Sequence, residues 1–341
     1  MNILNILSFF KKESYECEAL NTHLHFTSRN SLVPCCCINV GPTFLENLSE
    51  YDSICSYINI KQKYINMLRN GKIPNNCKNC ISLKKIKKNK KKQNNNLYKI
   101  NYITLNHYIS CDCACIYCSQ GNTTIDTIKQ NFDEKIYDVK NFIKELYINN
   151  LIDKEALFIN FQGGNISCLK DHEELIKLFL ENGVKKISIK TNNIVYIPII
   201  EELLKTKKGE IVTSLDSGTK ETFNKIKQVN KFDQYVNNLK KYITIAGNND
   251  IYVKYIIIKD INDNIEEITS FINTMKQVGI RFVCFDLDYR MTIGDTEKQI
   301  PEYYRELIKE VEEKCKKNNV EYTINPYAEM IIKRGKSYKN R

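Results

Sequence analysis

Between residues 98 and 325 short apolar runs alternate with amphipathic stretches, and that alternation restricts the chain to few architectures. The runs YKINYITL (98–105), ALFINF (156–161), KKISIKT (185–191), EIVTSLD (210–216), IYVKYIII (251–258) and RFVCFDLDY (281–289) are rich in Ile, Val and aromatic residues and predict strands. The stretches YDVKNFIKELYI (137–148), HEELIKLFLEN (172–182), IPIIEELLKT (197–206), NIEEITSFINTMKQVG (264–279) and YYRELIKEVEEKCKKN (303–318) carry apolar residues at helical spacing. ETFNKIK (221–227) and FDQYVNNLKKYI (232–243) are helical as well, and VEYTIN (320–325) is a last short strand. Asn264, three residues ahead of Glu267, has the spacing of a capping box. A strand–helix unit repeated about six times, with strands apolar enough to be covered on both faces, predicts an α/β fold. Either a doubly wound sheet or a full or partial (β/α) barrel satisfies it, and in either the site belongs at the C-terminal ends of the strands.

The loop after the first of these strands reads NHYISCDCACIYCSQGN (106–122), with Cys111, Cys113, Cys115 and Cys118 in close succession among 14 cysteines in the chain. The N-terminus MNILNILSFFKK is apolar first and charged second, the reverse of a secretory signal, and no small-residue cleavage site follows. A weak amphipathic membrane-surface segment is the alternative reading of it. No apolar segment approaches the roughly 20 residues that span a bilayer. The expectation is a cytoplasmic protein with reduced thiols and no membrane partner. There, so many cysteines argue for metal ligation rather than disulfides.

Cys111, Cys115 and Cys118 are spaced C-x3-C-x2-C. Three thiolates on one short loop suit three irons of a 4Fe–4S cube and leave the fourth open, as a catalytic zinc keeps one open position. With Tyr117 just before the third cysteine, CDCACIYC resembles the signature of the radical S-adenosylmethionine (SAM) superfamily. FQGGN (161–165) resembles that family's Gly-Gly-Glu motif, with Asn165 where Glu is usual. TNN (191–193) resembles its Thr-Asn-Gly strand end, and TSLDSG (213–218) its fourth strand. The resemblance covers about residues 98–290 and implies a partial (β/α)6 TIM-like barrel. It implies a catalytic 4Fe–4S cluster on Cys111, Cys115 and Cys118, with Cys113 a spare thiol. It further implies SAM held by Tyr117, Gly163, Gly164, Asn165, Thr191, Asn192, Ser214 and Asp216. The chemistry implied is reductive cleavage of SAM to a 5′-deoxyadenosyl radical that abstracts hydrogen from a substrate, with flavodoxin or ferredoxin as electron donor. Taken singly, Gly163-Gly164 reads as a turn and Asp216 as a helix N-cap.

Residues 1–82 hold seven cysteines and two of the four histidines, with little periodicity. Cys77-x2-Cys80 is a ligand-like pair, which Cys17 and one of Cys35, Cys36 and Cys37 complete to four. This segment resembles SPASM-type auxiliary-cluster modules, although those usually follow the radical core instead of preceding it. The resemblance implies a second 4Fe–4S cluster on Cys17, Cys36, Cys77 and Cys80, with structural zinc or no metal as alternatives. It also implies a peptide or protein side chain as substrate, with a carbohydrate-like or other small metabolite next. His23 and His25 alternate with Leu24 as on a half-buried strand face.

The stretch LKKIKKNKKKQNNN (83–96) holds seven lysines and no acid, and subtracting these from the net charge of +11 leaves +4. Residues 83–97 read as a solvated linker, followed by the core at 98–290 and a helix, short strand and tail at 291–341. The tract lacks aromatic residues for base stacking, which disfavours nucleic acid. Cys168, Cys284 and Cys315 read as core packing. Asp286, Asp288 and Tyr289 are candidates to touch substrate, with Lys254 and Lys259 near the site. Two rival classes are a zinc-containing nucleic-acid-binding protein, with Cys77-x2-Cys80 and Cys115-x2-Cys118 as ligands, and an iron–sulfur electron carrier.

Overall fold

A computed structural model describes residues 13–27, 32–33, 53–78, 80, 82–86, 99–118, 138–247, 250–294, 299–336 and 338–339. The chain forms two compact units. The first takes Met1–Tyr108, Asp133–Phe161 and Lys177–Lys185; the second takes Ile109–Phe132, Gln162–Ile176 and Lys186–Arg341.

In the first unit, β1 (Ser14–Cys17), α1 (Glu18–Thr22), β2 (His23–Thr27), β3 (Leu32–Val33) and α2 (Ser53–Arg69) lead to β4 (Leu83–Ile86) and β5 (Tyr102–Asn106). Helix α3 (Val139–Ile148) and β6 (Phe158–Phe161) follow. The sheet order is β3-β2-β5-β6, with β2, β5 and β6 parallel and β3 antiparallel at the edge. Strand β2 lies hydrogen-bonded along β5, His23 opposite Tyr102 through Thr27 opposite Asn106, within the same unit. The lysine tract begins as structure: β4 pairs antiparallel with β1, Ser14 opposite Ile86, because an extended partner turns an exposed LKKI into a two-stranded ribbon. Residues 87–98 lie outside the described residues. Leu24 and Phe26 are fully buried, and Phe26 meets Phe142 of α3 edge to face at 5.6 Å.

The second unit carries β7 (Lys186–Lys190), α5 (Pro198–Lys205), β8 (Gly209–Ser214), α6 (Lys220–Lys227), α7 (Phe232–Ala246), β9 (Ile251–Ile257), α8 (Ile265–Val278) and β10 (Phe282–Leu287). After the short α9 (Tyr289–Thr292) and β11 (Ile293–Gly294) come α10 (Tyr303–Asn318), β12 (Glu321–Ile324), α11 (Pro326–Arg334) and β13 (Tyr338–Lys339). Helix α4 (His172–Asn182) joins β6 to β7 along the chain. Strands run β7-β8-β9-β10-β12, all parallel, and β11 pairs with β13. The expected helices and strands form within a few residues of their predicted ends. Asn264 caps α8, its side chain accepting from the Glu267 N–H at 2.9 Å. The other half of the capping box does not close: the Glu267 carboxylate accepts from the Gly218 and Thr219 N–H groups instead, at 2.6 and 3.1 Å. Helix α11 was not expected; Asn325 caps it and Pro326 occupies its first turn.

Burial on both faces holds for the middle of β7, but β8, β9 and β10 alternate. Ile211, Val253, Tyr255, Val283 and Phe285 pack inward under the helices. The other face holds Ser214, Lys254, Cys284 and Asp286 in adjacent registers, only half-buried. A parallel sheet keeps such groups when that face lines a site.

Candidate functional site

The second unit builds its site from the cysteine loop and from the segments that follow its strands. Glycine decides how the loop is seated. A Cβ on Gly164 would stand 2.1 Å from the Ser110 carbonyl oxygen, so only glycine lets the two backbones approach. The Asn165 N–H then donates to that carbonyl at 2.8 Å. The loop's far side hangs on the last turn of α6, where carbonyls lack helical partners. Ala114 N–H donates to the Lys227 carbonyl (3.2 Å) and Ile116 N–H to the Ile226 carbonyl (3.0 Å). Arg290 donates from Nη1 to the Ile116 carbonyl at 2.9 Å while its Nε holds Asp288 at 2.8 Å. The Cys118 N–H donates to the Cys115 carbonyl at 3.0 Å, closing a turn between those two cysteines.

Within the loop the Cys113 thiol acts at close range on both Cys111 and Cys115. Those interactions, with burial, keep Cys113 protonated well above the ordinary thiol value. The same contacts lower Cys111 and, with Lys227 assisting against burial, bring Cys115 down to about 6. Among the described residues no three Cys, His, Asp or Glu side chains converge as on a single metal ion. A cube distributes its thiolates over three irons, so convergence on one point is not the geometry it needs. The donor set suits iron–sulfur ligation: short-loop thiols, two of them lowered in pKa, on a backbone anchored at both ends. Cys168, expected in the core, lies close enough to feel Cys111 and Asp112.

Several residues expected to hold SAM are engaged within the protein. Gly164 seats the loop, and Gly163, at φ 118°, makes the turn before it. Asn165 is buried, and its Oδ1 accepts from Thr191 Oγ1 (2.9 Å) and Asn192 N–H (3.1 Å). Its Nδ2 donates to Asp112 Oδ1 at 3.0 Å. Asn192 Nδ2 also donates to Asp112 Oδ1, at 2.5 Å, and stands 3.7 and 3.3 Å from the sulfurs of Cys111 and Cys113. Asp216 is fully buried: its Oδ2 accepts from Lys227 Nζ and Tyr117 OH, each at 2.5 Å, and its Oδ1 from the Ile256 N–H at 2.8 Å. Both oxygens have protein partners, so the carboxylate anchors Lys227 and Tyr117; it does not cap α6, whose N-cap is Thr219. Lys227 Nζ also reaches Tyr117 OH at 2.7 Å and lies 5.1 Å from the centre of its ring. Burial works against the Lys227 charge, but Asp216 and Tyr117 outweigh it and hold the ammonium protonated. Ser214 closes β8 with its side chain half-buried beside Lys254 in register.

At the ends of β9 and β10 a cavity of about 310 Å³ is lined by Ile258, Lys259, Asp288, Arg290, Met291 and Ile300, among others. Arg290 belongs both to this cavity and to the support of the cysteine loop. Of the expected substrate-side residues, Asp288 and Lys259 line the cavity, while Asp286 pairs with Lys254 at 2.9 Å and accepts from Asn325 at 3.0 Å. Tyr289 is exposed.

In the first unit the structure brings Cys17 and Cys80 together. Cys17 ends β1 opposite Leu83, whose N–H donates to the Cys80 carbonyl at 3.1 Å. Cys80 N–H in turn donates to the Cys77 carbonyl at 3.1 Å, so the Cys77–Cys80 pair forms one turn. Cys80 acts electrostatically on Cys17. Cys35, Cys36 and Cys37 lie outside the described residues. His25 is buried on β2, as a strand face requires.

Comparison with known proteins bears on this arrangement. The model of the Radical SAM superfamily matches residues 105–275, half of the chain and all of the loop just described. The chain belongs to the radical SAM superfamily. It is an enzyme of that family, whose members use SAM and an iron–sulfur cluster. A protein named GTP 3′,8-cyclase from Clostridium botulinum is 29% identical over 190 residues, covering 54% of this chain and 56% of the relative. One so named from Desulforamulus reducens is 23% identical over 197 residues, covering 58% and 57%. The chain thus spans about half the length of the curated relatives it matches. Streptococcus suis SuiB bound to its precursor peptide SuiA aligns with a TM-score of 0.50 at 16% identity, covering 92% of this chain and 72% of that one. At that identity the likeness shows the α/β fold alone.

Within this family frame, the sequence did not single out Lys227, Asp112 or Arg290. Lys227 had a faint signal: it follows Ile226 and lies four residues after Phe223, on the apolar face of α6, while Lys220 of the same helix is exposed.

Proposed function

We propose that this radical SAM enzyme binds its catalytic 4Fe–4S cluster through Cys111, Cys115 and Cys118 and opens a radical reaction on a peptide or protein side chain. The observation that carries the cluster assignment is the cysteine loop itself, anchored by Gly164, the end of α6 and Arg290, with Cys111 and Cys115 lowered in pKa. When bound, cluster and SAM together supply a carbon-centred radical that takes hydrogen from an unactivated carbon. The chain's own residues position and shield. Lys227 and Asp216 fix Tyr117 against the loop, Asn165 and Asn192 hold Asp112, and Arg290 ties the loop to the cavity.

The peptide reading is supported by the chemistry of the cavity and strand face. Arg290 pairs with Asp288, Lys254 with Asp286 and, at 4.0 Å, Lys259 with Asp260, so each of these cations of the cavity and strand face has a carboxylate partner. A triphosphate calls for several cations at once; a side chain with a single polar group fits better. The fold likeness to SuiB with its peptide agrees with this. A nucleotide substrate is the second reading, favoured by the relatives named GTP 3′,8-cyclase. The proposal includes an auxiliary cluster on Cys17, Cys36, Cys77 and Cys80, a cytoplasmic setting and a flavodoxin- or ferredoxin-type donor.

Iron and sulfide counts after anaerobic reconstitution test the two cluster assignments. Replacing Cys111, Cys115 and Cys118 together by Ala removes one cluster and SAM binding; replacing Cys77 and Cys80 removes only the other. Equal iron in the wild type and the triple variant overturns the catalytic assignment. Turnover of GTP by the reconstituted enzyme overturns the peptide reading.

A further inference from the structure

The Asp112 carboxylate is unusual in how its two oxygens are used. Oδ1 takes two amide donors, from Asn165 at 3.0 Å and Asn192 at 2.5 Å. Oδ2 is buried and has no partner among the described residues. A buried carboxylate oxygen left without a donor is costly, so native proteins retain one where something else satisfies it. The two amides are themselves fixed. Asn165 accepts from Thr191 and Asn192, and Asn192 Oδ1 accepts from the Ile194 N–H at 3.1 Å. Asp112 therefore cannot swing away to find a partner. Its surroundings are thiols: it lies between Cys111 and Cys113 in the chain, and Asn192 Nδ2, which donates to Oδ1, stands 3.7 and 3.3 Å from their sulfurs.

We infer that Asp112 Oδ2 binds the ammonium of the amino-acid end of SAM, with Asn165 and Asn192 as residues that aim it. SAM carries one primary ammonium, and a carboxylate with a free oxygen is its natural acceptor. Asn165 is neutral and fully engaged with protein partners, so the negative charge of this corner of the site comes from Asp112. The assignment rests on the proposed cluster and SAM site above.

Asp112→Asn is the decisive variant because it separates aiming from binding. Its amide oxygen still accepts from Asn165 and Asn192, while an NH2 replaces Oδ2 and faces the ammonium with donors. SAM affinity of the reconstituted, unreduced protein is measured by calorimetry, together with iron and sulfide content and the 400 nm absorption. The expected result is unchanged cluster content with SAM bound about 10- to 100-fold more weakly, the range for a hydrogen bond to a charged group. Asp112→Glu retains part of the affinity. A SAM analogue lacking the amino group binds wild type and Asp112→Asn equally. Wild-type SAM affinity in Asp112→Asn, or the same loss with both ligands, overturns the inference while leaving the cluster assignment standing. Failure of the wild type to bind SAM with its cluster intact overturns both.

Discussion

Replacing Lys227 by Met tests whether the buried ion pair holds the cysteine loop. Lys227 and Asp216 meet at 2.5 Å with side chains 3% and 0% exposed. Removing one partner of such a pair leaves an uncompensated charge in a low-dielectric site, which typically costs about 3–5 kcal/mol. Asp216 keeps its bonds from Tyr117 and the Ile256 N–H, which places the expectation near the lower end, ~3 kcal/mol. On the same helix Lys220 pairs with Asp233 at 2.7 Å, but those side chains are 55% and 67% exposed, and such a pair is worth under about 1 kcal/mol. Denaturant unfolding of the two Met variants side by side is the assay. Lys227→Met should fall by at least ~2 kcal/mol more than Lys220→Met, and the pair-neutral Lys227→Met/Asp216→Asn should recover much of the difference. Loop anchoring predicts in addition that Lys227→Met binds less iron on reconstitution, since the carbonyls of residues 226 and 227 hold the loop N–H groups. Equal losses for Lys220 and Lys227 would refute the reasoning.

Two more outcomes follow from single contacts. Gly164→Ala forces its Cβ against the Ser110 carbonyl and should displace the cysteine loop, seen as reduced cluster content and SAM binding at near-wild-type secondary structure. Lys61 is buried in α2 with Tyr57 as hydrogen-bond partner at 3.2 Å, and burial lowers it to about 7. Above that pH the folded protein holds Lys61 neutral while the unfolded chain stays protonated up to the ordinary 10.5, so stability should rise with pH across that window and be lowest below pH 7. Lys61→Met should flatten the profile and raise the melting temperature at pH 7 by several degrees.

The repeated strand–helix pattern was legible because burial imposes period 2 or 3.6 on every element; α10 and α4 match their predicted spans. What escaped depends on partners distant in sequence. LKKI at 83–86 has no strand signal of its own and becomes β4 only because Ser14–Cys17 lies beside it. Pro326–Arg334 reads as tail until Asn325 caps it. At the site, the cysteine spacing was readable because the proposed ligands share one loop. The roles of Gly164, Asn165 and Asp216 were not, since each is set by a contact some tens of residues away: Ser110, Asp112 and Lys254's neighbour Ile256. Gly164, Asn165 and Asp216 each make contacts within the protein that motif spacing alone does not reveal.

If the loop at 111–118 carries the catalytic cluster, 5′-deoxyadenosine formation depends on its cysteines. Protein purified without oxygen, reconstituted with iron and sulfide and reduced, is given SAM beside the Cys115→Ala variant. The wild type is expected to form 5′-deoxyadenosine and the variant none. Formation by Cys115→Ala at the wild-type rate, or none by a wild type with its cluster intact and its substrate present, would contradict that assignment.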